Sequence, residues 1–298
     1  MSSVPAFTLS GVVKRYRGFT LGPLDLVLQP GTVLGFVGPN GSGKTTTINC
    51  IAGLAIPEEG TVEVSGQRVD HRVPAWKADI GVVGETHGFY RGWTVEENLR
   101  FLSRFYPGWS DQRVTRLADR LGLPLAKKTC VCNLSKGQLA KLAIVAALGH
   151  GPRLLLLDEP TGGLDPVVRA EVLDVLWEVL EDGEHAIFYS THVLSDISRL
   201  ADELVFLREG RVLLRSPKDH LTEHWRRISF RLAEEDVTVV AAVEYRRVRA
   251  EHQVVSADAE ATLAQLRELG AESVEQSRMT IDEIAVAILK GGSHVAPR

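Results

Sequence analysis

Residues 38–46 combine three glycines with a lysine and two threonines, a set that suits the binding of phosphate groups. Glycines let backbone N–H groups turn toward an anion, and the N-terminus of a following helix adds partial positive charge. Lys44 would reach the outer phosphates, while the Thr45 hydroxyl would complete the shell of a Mg²⁺ ion. The sequence therefore predicts a nucleoside triphosphate site formed by Gly38, Pro39, Asn40, Gly41, Ser42, Gly43, Lys44, Thr45 and Thr46.

Two carboxylates, Asp158 and Glu159, follow a run of four leucines at residues 154–157. Such a run predicts a strand covered on both faces, and open α/β sheets bind ligands at the carboxyl ends of their strands. We expect Asp158 to hold the Mg²⁺ shell and Glu159 to act as the general base that polarises a water molecule. Together with the glycine loop, this pair predicts hydrolysis of the nucleotide.

The elements that must position these residues predict an α/β fold with a P-loop NTPase core. The glycine loop stands between a predicted strand, Val33–Val37, and a helix, which is the setting that a phosphate loop requires. The first thirty residues alternate like antiparallel strands, and Thr94 and Ser135 begin capping boxes at the starts of two helices. We therefore expect a mixed central sheet, an antiparallel β subdomain and an inserted helical subdomain at about residues 88–150.

A small C-terminal α+β accessory domain is predicted at residues 223–298, after a nucleotide-binding domain at residues 1–222. Within it, residues 228–232 alternate like a half-exposed strand, and residues 237–240 are expected to pair with them. The basic cluster at residues 246–249 is interpreted as a solvated face, because so short a run of charge is more typical of a surface than of a nucleic-acid site.

Composition and charge limit the classes of function. The formal net charge of −4 gives no support to nucleic-acid binding, and no nucleic-acid partner is expected. No apolar run approaches the roughly 20 residues of a membrane-spanning helix, and no signal segment is recognisable. The cysteines, Cys50, Cys130 and Cys132, are predicted to be free thiols in a reducing cytosol. The chain is therefore predicted to be cytoplasmic.

The stretch Leu-Ser-Lys-Gly-Gln at residues 134–138, followed by a helix, makes the prediction more specific. Here the sequence resembles the ATP-binding-cassette (ABC) ATPases, over roughly residues 6–215 and with the motifs in family order. In this resemblance residues 38–46 are the Walker A motif, residues 134–138 the signature motif and residues 154–159 the Walker B strand and base. Residues 163–165 match the D-loop, His192 the switch histidine, and Tyr16 the aromatic residue that stacks on adenine.

The resemblance implies a head-to-tail dimer, either a homodimer or a paralogue heterodimer. In such a dimer Ser135, Gly137 and Gln138 close on the γ-phosphate of the ATP bound to the other subunit. His192 would hydrogen-bond the γ-phosphate and position the attacking water together with Glu159. ATP and Mg²⁺ are the implied ligands.

Three further residues are assigned from the resemblance. Asp165 would link the two sites across the dimer interface. Glu85 stands where the family usually has glutamine in a loop that contacts the Mg²⁺ shell and senses the membrane partner; a carboxylate can accept a hydrogen bond there but cannot donate one. Lys136 stands where the commonest signature has glycine, which adds a positive charge near the partner's phosphate. The consequences of the last two departures stay open.

The predicted function is the ATPase subunit of a transporter whose permease is a separate membrane protein, so that the chain would lie at the inner face of the membrane. Residues 88–94 and 105–109 are similar to bacterial cassettes of exporters linked to drug or cell-envelope stress, which favours export. Phe89, Tyr90 and Trp93 would either pack locally or line a groove for the partner. The alternative is a soluble ABC ATPase acting on ribosomes or DNA, which usually carries two cassettes or a long coiled-coil insert.

Overall fold

The computed structural model describes residues 4–70, 72–125, 129–233, 237–249 and 251–291. Its first sheet is antiparallel and four-stranded, in the order β2-β1-β4-β5 along the sheet. The strands are β1 (Phe7–Tyr16), β2 (Phe19–Leu28), β4 (Glu59–Val64) and β5 (Gln67–Arg68). Alternate apolar residues of β1 and β2 are buried, as the sequence pattern predicts for a sheet with one covered face.

The central sheet carries the candidate site and has the strand order β10-β9-β3-β8-β7-β6. Its strands are β3 (Val33–Val37), β6 (Ile80–Val83), β7 (Leu154–Asp158), β8 (Ala186–Thr191), β9 (Glu203–Arg208) and β10 (Arg211–Pro217). All neighbours are parallel except β9 and β10, which form an antiparallel hairpin. Because β3, β7 and β8 are adjacent and parallel, the loops that follow them meet at one edge.

Helices cover the central sheet and form the predicted insert. They are α1 (Lys44–Ile51), α2 (Val95–Ser103), α3 (Asp111–Arg120), α4 (Lys136–Leu148), α5 (Pro166–Leu180) and α6 (Leu194–Leu200). Helices α2 and α4 begin with the predicted capping boxes, in which Thr94 and Ser135 accept hydrogen bonds from the N–H groups of Glu97 and Gln138. The mixed sheet, the antiparallel sheet and the helical insert confirm the predicted α/β fold class.

The C-terminal segment forms an antiparallel sheet in the order β12-β13-β11-β14. Its elements are α7 (Lys218–His224), β11 (Arg226–Arg231), β12 (Ala242–Val248), β13 (Glu251–Ser256), α8 (Ala259–Glu268), β14 (Glu272–Arg278) and α9 (Ile281–Gly291). The prediction that residues 237–240 pair with β11 was wrong. Backbone groups of Thr238 and Val240 bind the side chain of Gln265 on α8, while β13 and β14 flank β11.

Two observations bear on the cysteine and membrane predictions. Cys130 and Cys132 are joined by a disulfide, which corrects the expectation that they are free thiols; Cys50 is free and buried. The Cα atoms of the bridged pair lie 5.3 Å apart, within the usual range for a disulfide. Within the described ranges, no helix is both long and apolar enough to cross a membrane.

Candidate nucleotide-binding site

The glycine loop turns tightly between the end of β3 and the start of α1. Gly43 caps α1 with a φ of 112°, and a Cβ at this position would lie 2.7 Å from Cδ1 of Leu21. Only glycine avoids both the backbone strain and the contact. The N–H of Ser42 donates to the carbonyl of Pro39 over 3.1 Å, which closes the turn. The loop therefore presents its backbone and the start of α1 to a ligand at the sheet edge.

Lys44 lies inside this loop and faces the candidate base. Its ammonium donates to the carbonyl of Gly38 over 2.9 Å and to that of Pro39 over 3.3 Å. The same Nζ atom is 3.8 Å from Oε1 of Glu159, and both side chains are largely buried. A buried cation beside the loop suits the binding of a multiply charged anion.

The oxygen atoms expected to hold Mg²⁺ lie next to the loop. The Thr45 hydroxyl donates to Oδ2 of Asp158 over 2.6 Å, and Oδ1 of Asp158 accepts from the Ser190 hydroxyl over 2.9 Å. In the part of the chain that the structure describes, no three His, Cys, Asp or Glu side chains form a metal cluster. One carboxylate and one hydroxyl fit Mg²⁺, which keeps waters and substrate phosphates in its shell and seldom uses an all-protein cage.

The candidate base Glu159 is held by the loop after β8. Its carboxylate accepts hydrogen bonds from the Thr191 hydroxyl over 2.9 Å and from the backbone N–H of His192 over 3.0 Å. Nδ1 of His192 lies 2.8 Å from Oε1 of the same carboxylate. Glu159 also has a φ of 51°, an uncommon value for a non-glycine residue and one often associated with functional sites. The sequence holds no signal for this conformation.

A cavity of about 970 Å³ brings most of the predicted site residues together. Predicted residues that line it are Tyr16, Asn40, Gly41, Gly43, Lys44, Thr45, Thr46, Glu85, Asp158, Glu159 and His192. Sequence reasoning missed His87, which also lines it, and whose pKa is lowered by burial and by the charge of Lys136. The volume is at the upper end for small-molecule sites, which suits a nucleoside triphosphate.

The signature residues Ser135, Gly137 and Gln138 are not among those that line this cavity. Ser135 and Gln138 bind each other across the first turn of α4, over 3.0 and 3.2 Å. Asp165 caps α5 by accepting from the N–H groups of two valines that follow it. These residues thus lie outside the lining of the cavity that the glycine loop of their own chain forms, although their neighbours Lys136 and Leu164 belong to it.

Lys136, the departure in the signature, does line the cavity. Its Nζ atom lies so close to Gly163 that a Cβ on this glycine would be 2.4 Å away. The lysine therefore reaches from the first turn of α4 to the segment between Glu159 and Asp165.

Comparisons with known proteins identify the family of this chain. A family model described as ABC transporter matches residues 21–162. Over 218 residues the chain is 34% identical to the bacitracin transport ATP-binding protein BcrA of Bacillus licheniformis, a match that covers 73% of this chain and 71% of that protein. The chain belongs to the ABC transporter ATPases. This ABC ATPase is also 36% identical over 212 residues to the daunorubicin/doxorubicin resistance ATP-binding protein DrrA of Streptomyces peucetius, covering 70% of this chain and 64% of DrrA.

Solved structures give the same result for the fold of the ABC ATPase. An ATP-binding subunit of an ABC transporter superposes with a TM-score of 0.66 at 29% identity, covering 72% of this chain and 91% of the other. A dimeric bacterial ABC transporter cassette superposes with a TM-score of 0.65 at 27% identity, covering 71% and 98%. The prediction of an ATP-binding and ATP-hydrolysing subunit of an ABC transporter is confirmed. The named relatives give no support to the alternative of a soluble ATPase acting on ribosomes or DNA.

Proposed function

We propose that this ABC ATPase drives export through a separate membrane permease, with hydrolysis at Glu159. The cluster of Lys44, Thr45, Asp158, Glu159 and His192 supports hydrolysis at this residue, because a cation, the carboxylate and hydroxyl proposed for Mg²⁺, the proposed base and its partner meet in one cavity. BcrA is named as a transport protein for bacitracin and DrrA as a resistance protein for daunorubicin and doxorubicin, and these names support export of compounds of this kind.

Each residue of the cluster has a role in the proposed mechanism. Thr45 and Asp158 would hold Mg²⁺, which when bound would neutralise phosphate charge. Glu85 would accept a hydrogen bond from a metal-bound water. Lys44 would bind the outer phosphates, and Tyr16, which is exposed at the cavity, would stack on the adenine. Glu159 would then accept a proton from the attacking water, and its hydrogen bond with His192 would keep both groups oriented.

We propose a head-to-tail dimer in which the signature motif closes the site of the other subunit. Ser135 heads α4 at the protein surface, and its helix offers N–H groups to an anion. Ser135 does not line the nucleotide cavity of its own chain, so its exposed hydroxyl is free to contact a phosphate bound to another subunit. Asp165 would then lie at the interface between the two sites.

An exposed aromatic patch, formed by Tyr90, Trp93, Phe101 and Phe105, is proposed to bind the permease. The rings of Tyr90 and Trp93 stack at 4.4 Å, and Phe101 packs edge-on against both. Tyr90, Trp93 and Phe105 are nevertheless 52%, 39% and 63% exposed. Local packing therefore leaves apolar area uncovered, which is typical of a protein interface.

A second cavity of about 550 Å³ adjoins the aromatic patch and supports its coupling to ATP. Tyr90 and Phe101 line this cavity, and so do Thr45, Glu85 and Asp158 of the nucleotide site. A permease segment bound there would contact the residues that we propose to hold Mg²⁺. Binding to the permease would place the chain at the inner face of the membrane.

We further propose that residues 223–298 are an accessory domain beside the nucleotide-binding domain at residues 1–222.

The proposed roles are tested by Glu159→Gln, with the exposed Glu63→Gln as a control. We expect Glu159→Gln to bind ATP with an affinity within a few-fold of the parent, to lose at least about 100-fold in turnover and to form a stable ATP-dependent dimer. Glu63→Gln should match the parent in all three measurements. Unchanged turnover of Glu159→Gln would exclude Glu159 as the base.

A further inference from the structure

A buried carboxylate outside the nucleotide cavity joins several segments of the site. Asp196 is 1% exposed; its Oδ1 accepts from Nε of Arg169, and its Oδ2 accepts from the Thr161 hydroxyl. The Tyr189 hydroxyl donates to the same Oδ2 over 3.1 Å and lies 3.1 Å from Oγ1 of Thr161. We call Asp196, Arg169, Thr161 and Tyr189 the Asp196 junction.

Two partners of Asp196 belong to the segments that carry the candidate catalytic residues. Thr161 follows Glu159 by two residues, and Tyr189 precedes His192 by three. Asp196 itself lies in the first turn of α6, four residues after His192. The carboxylate therefore fixes both the segment after Glu159 and the two ends of the segment that contains His192.

The third partner belongs to the helix that follows the D-loop. Arg169 lies in the first turns of α5, and its backbone N–H donates to the carbonyl of Asp165 over 3.0 Å. Its guanidinium binds both Asp196 and the Ser195 hydroxyl. One buried charge thus holds the start of α5 against the start of α6.

None of the four junction residues lines the nucleotide cavity, so the junction cannot act by touching ATP. Both oxygens of Asp196 are bonded, because Oδ2 accepts from two hydroxyls and Oδ1 from the guanidinium. Burial and the nearby Asp196 charge raise the pKa of Tyr189 well above its ordinary value, so that its hydroxyl stays protonated and donates. A buried network of this kind has one favoured arrangement.

We propose that the Asp196 junction is a positioning unit. It holds Glu159 and His192 in their hydrogen-bonded geometry and fixes the position of the D-loop residue Asp165 relative to them. The inference rests on the roles proposed above for Glu159 and His192. Asp196, Arg169, Thr161 and Tyr189 are thus positioning residues whose loss lowers kcat while ATP still binds.

Two substitutions test the junction in the full chain, and each has a matched control. Thr161→Val removes one buried hydroxyl at nearly constant volume. Its control is Thr262→Val, since Thr262 is a buried threonine of α8 whose hydroxyl lies 2.7 Å from that of Ser256. Asp196→Asn removes the buried charge. Its control is Asp174→Asn, because the exposed Asp174 of α5 accepts a hydrogen bond from Arg199 of α6 over 2.7 Å and so also joins these two helices.

We expect Thr161→Val and Asp196→Asn to lower kcat for ATP by about 10-fold or more, with KM within about twofold of the parent, since small misplacements of catalytic groups are costly. In ¹⁵N NMR spectra of the histidine side chains, the Nδ1 signal of His192 should change in both variants. This signal is assigned by its loss in His192→Gln. The controls should keep parental kcat and parental spectra even where their thermal midpoints fall.

Two results would overturn the proposal: folded Thr161→Val and Asp196→Asn chains with parental kcat and His192 signals, or controls that lose kcat equally. Glu159→Gln and His192→Ala, measured alongside, separate the two levels of inference. If these lose turnover while the junction variants do not, only the positioning role fails. If Glu159→Gln keeps parental turnover, the proposed catalytic role fails as well.

Discussion

Nδ1 of His192 lies 2.8 Å from Oε1 of Glu159, so the two candidate catalytic residues form one hydrogen-bonded unit. Because an ionised carboxylate can only accept, the imidazole donates its Nδ1 hydrogen. A protonated imidazole has a second donor, Nε2, for a phosphate oxygen. The pair can therefore connect the base that receives the proton of water with the phosphate that is attacked.

Loss of the histidine should impair turnover more than binding. We expect His192→Ala to lower kcat by about 100-fold or more, because Glu159 loses the partner that orients it, while ATP affinity changes by less than about threefold. Steady-state kinetics and nucleotide titration measure the two effects. His185→Ala is the matched control, since His185 lies just before β8 and His192 just after it. Equal losses in both variants would argue against a specific role for His192.

Removal of the buried carboxylate beside Thr45 should change the Mg²⁺ requirement. In Asp158→Asn the Thr45 hydroxyl loses its charged acceptor at 2.6 Å and the metal loses an anionic partner. We expect the Mg²⁺ concentration for half-maximal ATPase activity to rise by about 10-fold or more. Chelation with EDTA should abolish activity of the parent chain. The exposed Asp219→Asn serves as control, and an unshifted Mg²⁺ titration for Asp158→Asn would remove Asp158 from the metal site.

The aromatic patch should matter for the permease and not for basal hydrolysis. We expect Trp93→Ala and Phe105→Ala each to weaken association with membranes that contain the permease by about 1–2 kcal/mol, because exposed aromatic side chains dominate interface energetics. Flotation of vesicles measures association. Trp177→Ala is the control, since Trp177 is 54% exposed on α5 but lies outside the patch. Parental association of both patch variants would exclude the patch as the docking surface.

The free energy of unfolding should decrease as the pH falls, in part because of His150. Burial lowers the pKa of His150, as does the charge of Arg113, while the bond to the Ile80 carbonyl and the charge of Asp79 oppose this. The unfolded chain therefore binds the proton more readily, and the free energy of unfolding falls as pH drops through the ordinary histidine range near 6.5.

Substitution of His150 isolates this contribution. Between about pH 7.5 and 5.5 we expect the thermal midpoint of His150→Gln to fall less than that of the parent. His87, whose pKa is also lowered by burial, accounts for part of what remains. His224→Gln should behave like the parent chain. An identical pH dependence in His150→Gln and the parent would show that His150 contributes nothing.

The local parts of the site could be predicted from the sequence, and the nonlocal parts could not. The glycine loop and the Asp158-Glu159 pair are contiguous motifs, so spacing alone predicted their elements. The left-handed backbone of Glu159 and the contact of Thr161 with Asp196, which are 35 residues apart, depend on tertiary packing.

The same reason explains the C-terminal errors. No strand was predicted at residues 272–278, where the structure has β14; this strand is exposed at every residue, so burial imposes no alternation that the sequence could show. Residues 237–240 are apolar enough for a strand, but their backbone binds Gln265 of a helix that no local pattern links to them.

The central claim is that the ATP site is composite: one subunit contributes the glycine loop and the other contributes Ser135. Mixing full-length Ser135→Arg and Lys44→Ala chains tests it most directly, because each variant alone should be inactive. In an equimolar mixture half of all dimers are heterodimers, and each heterodimer holds one intact site. We predict ATPase activity of about a quarter of the parental value, half of the dimers with half of their sites. No activity above that of the separate variants, at any mixing ratio, would contradict the account.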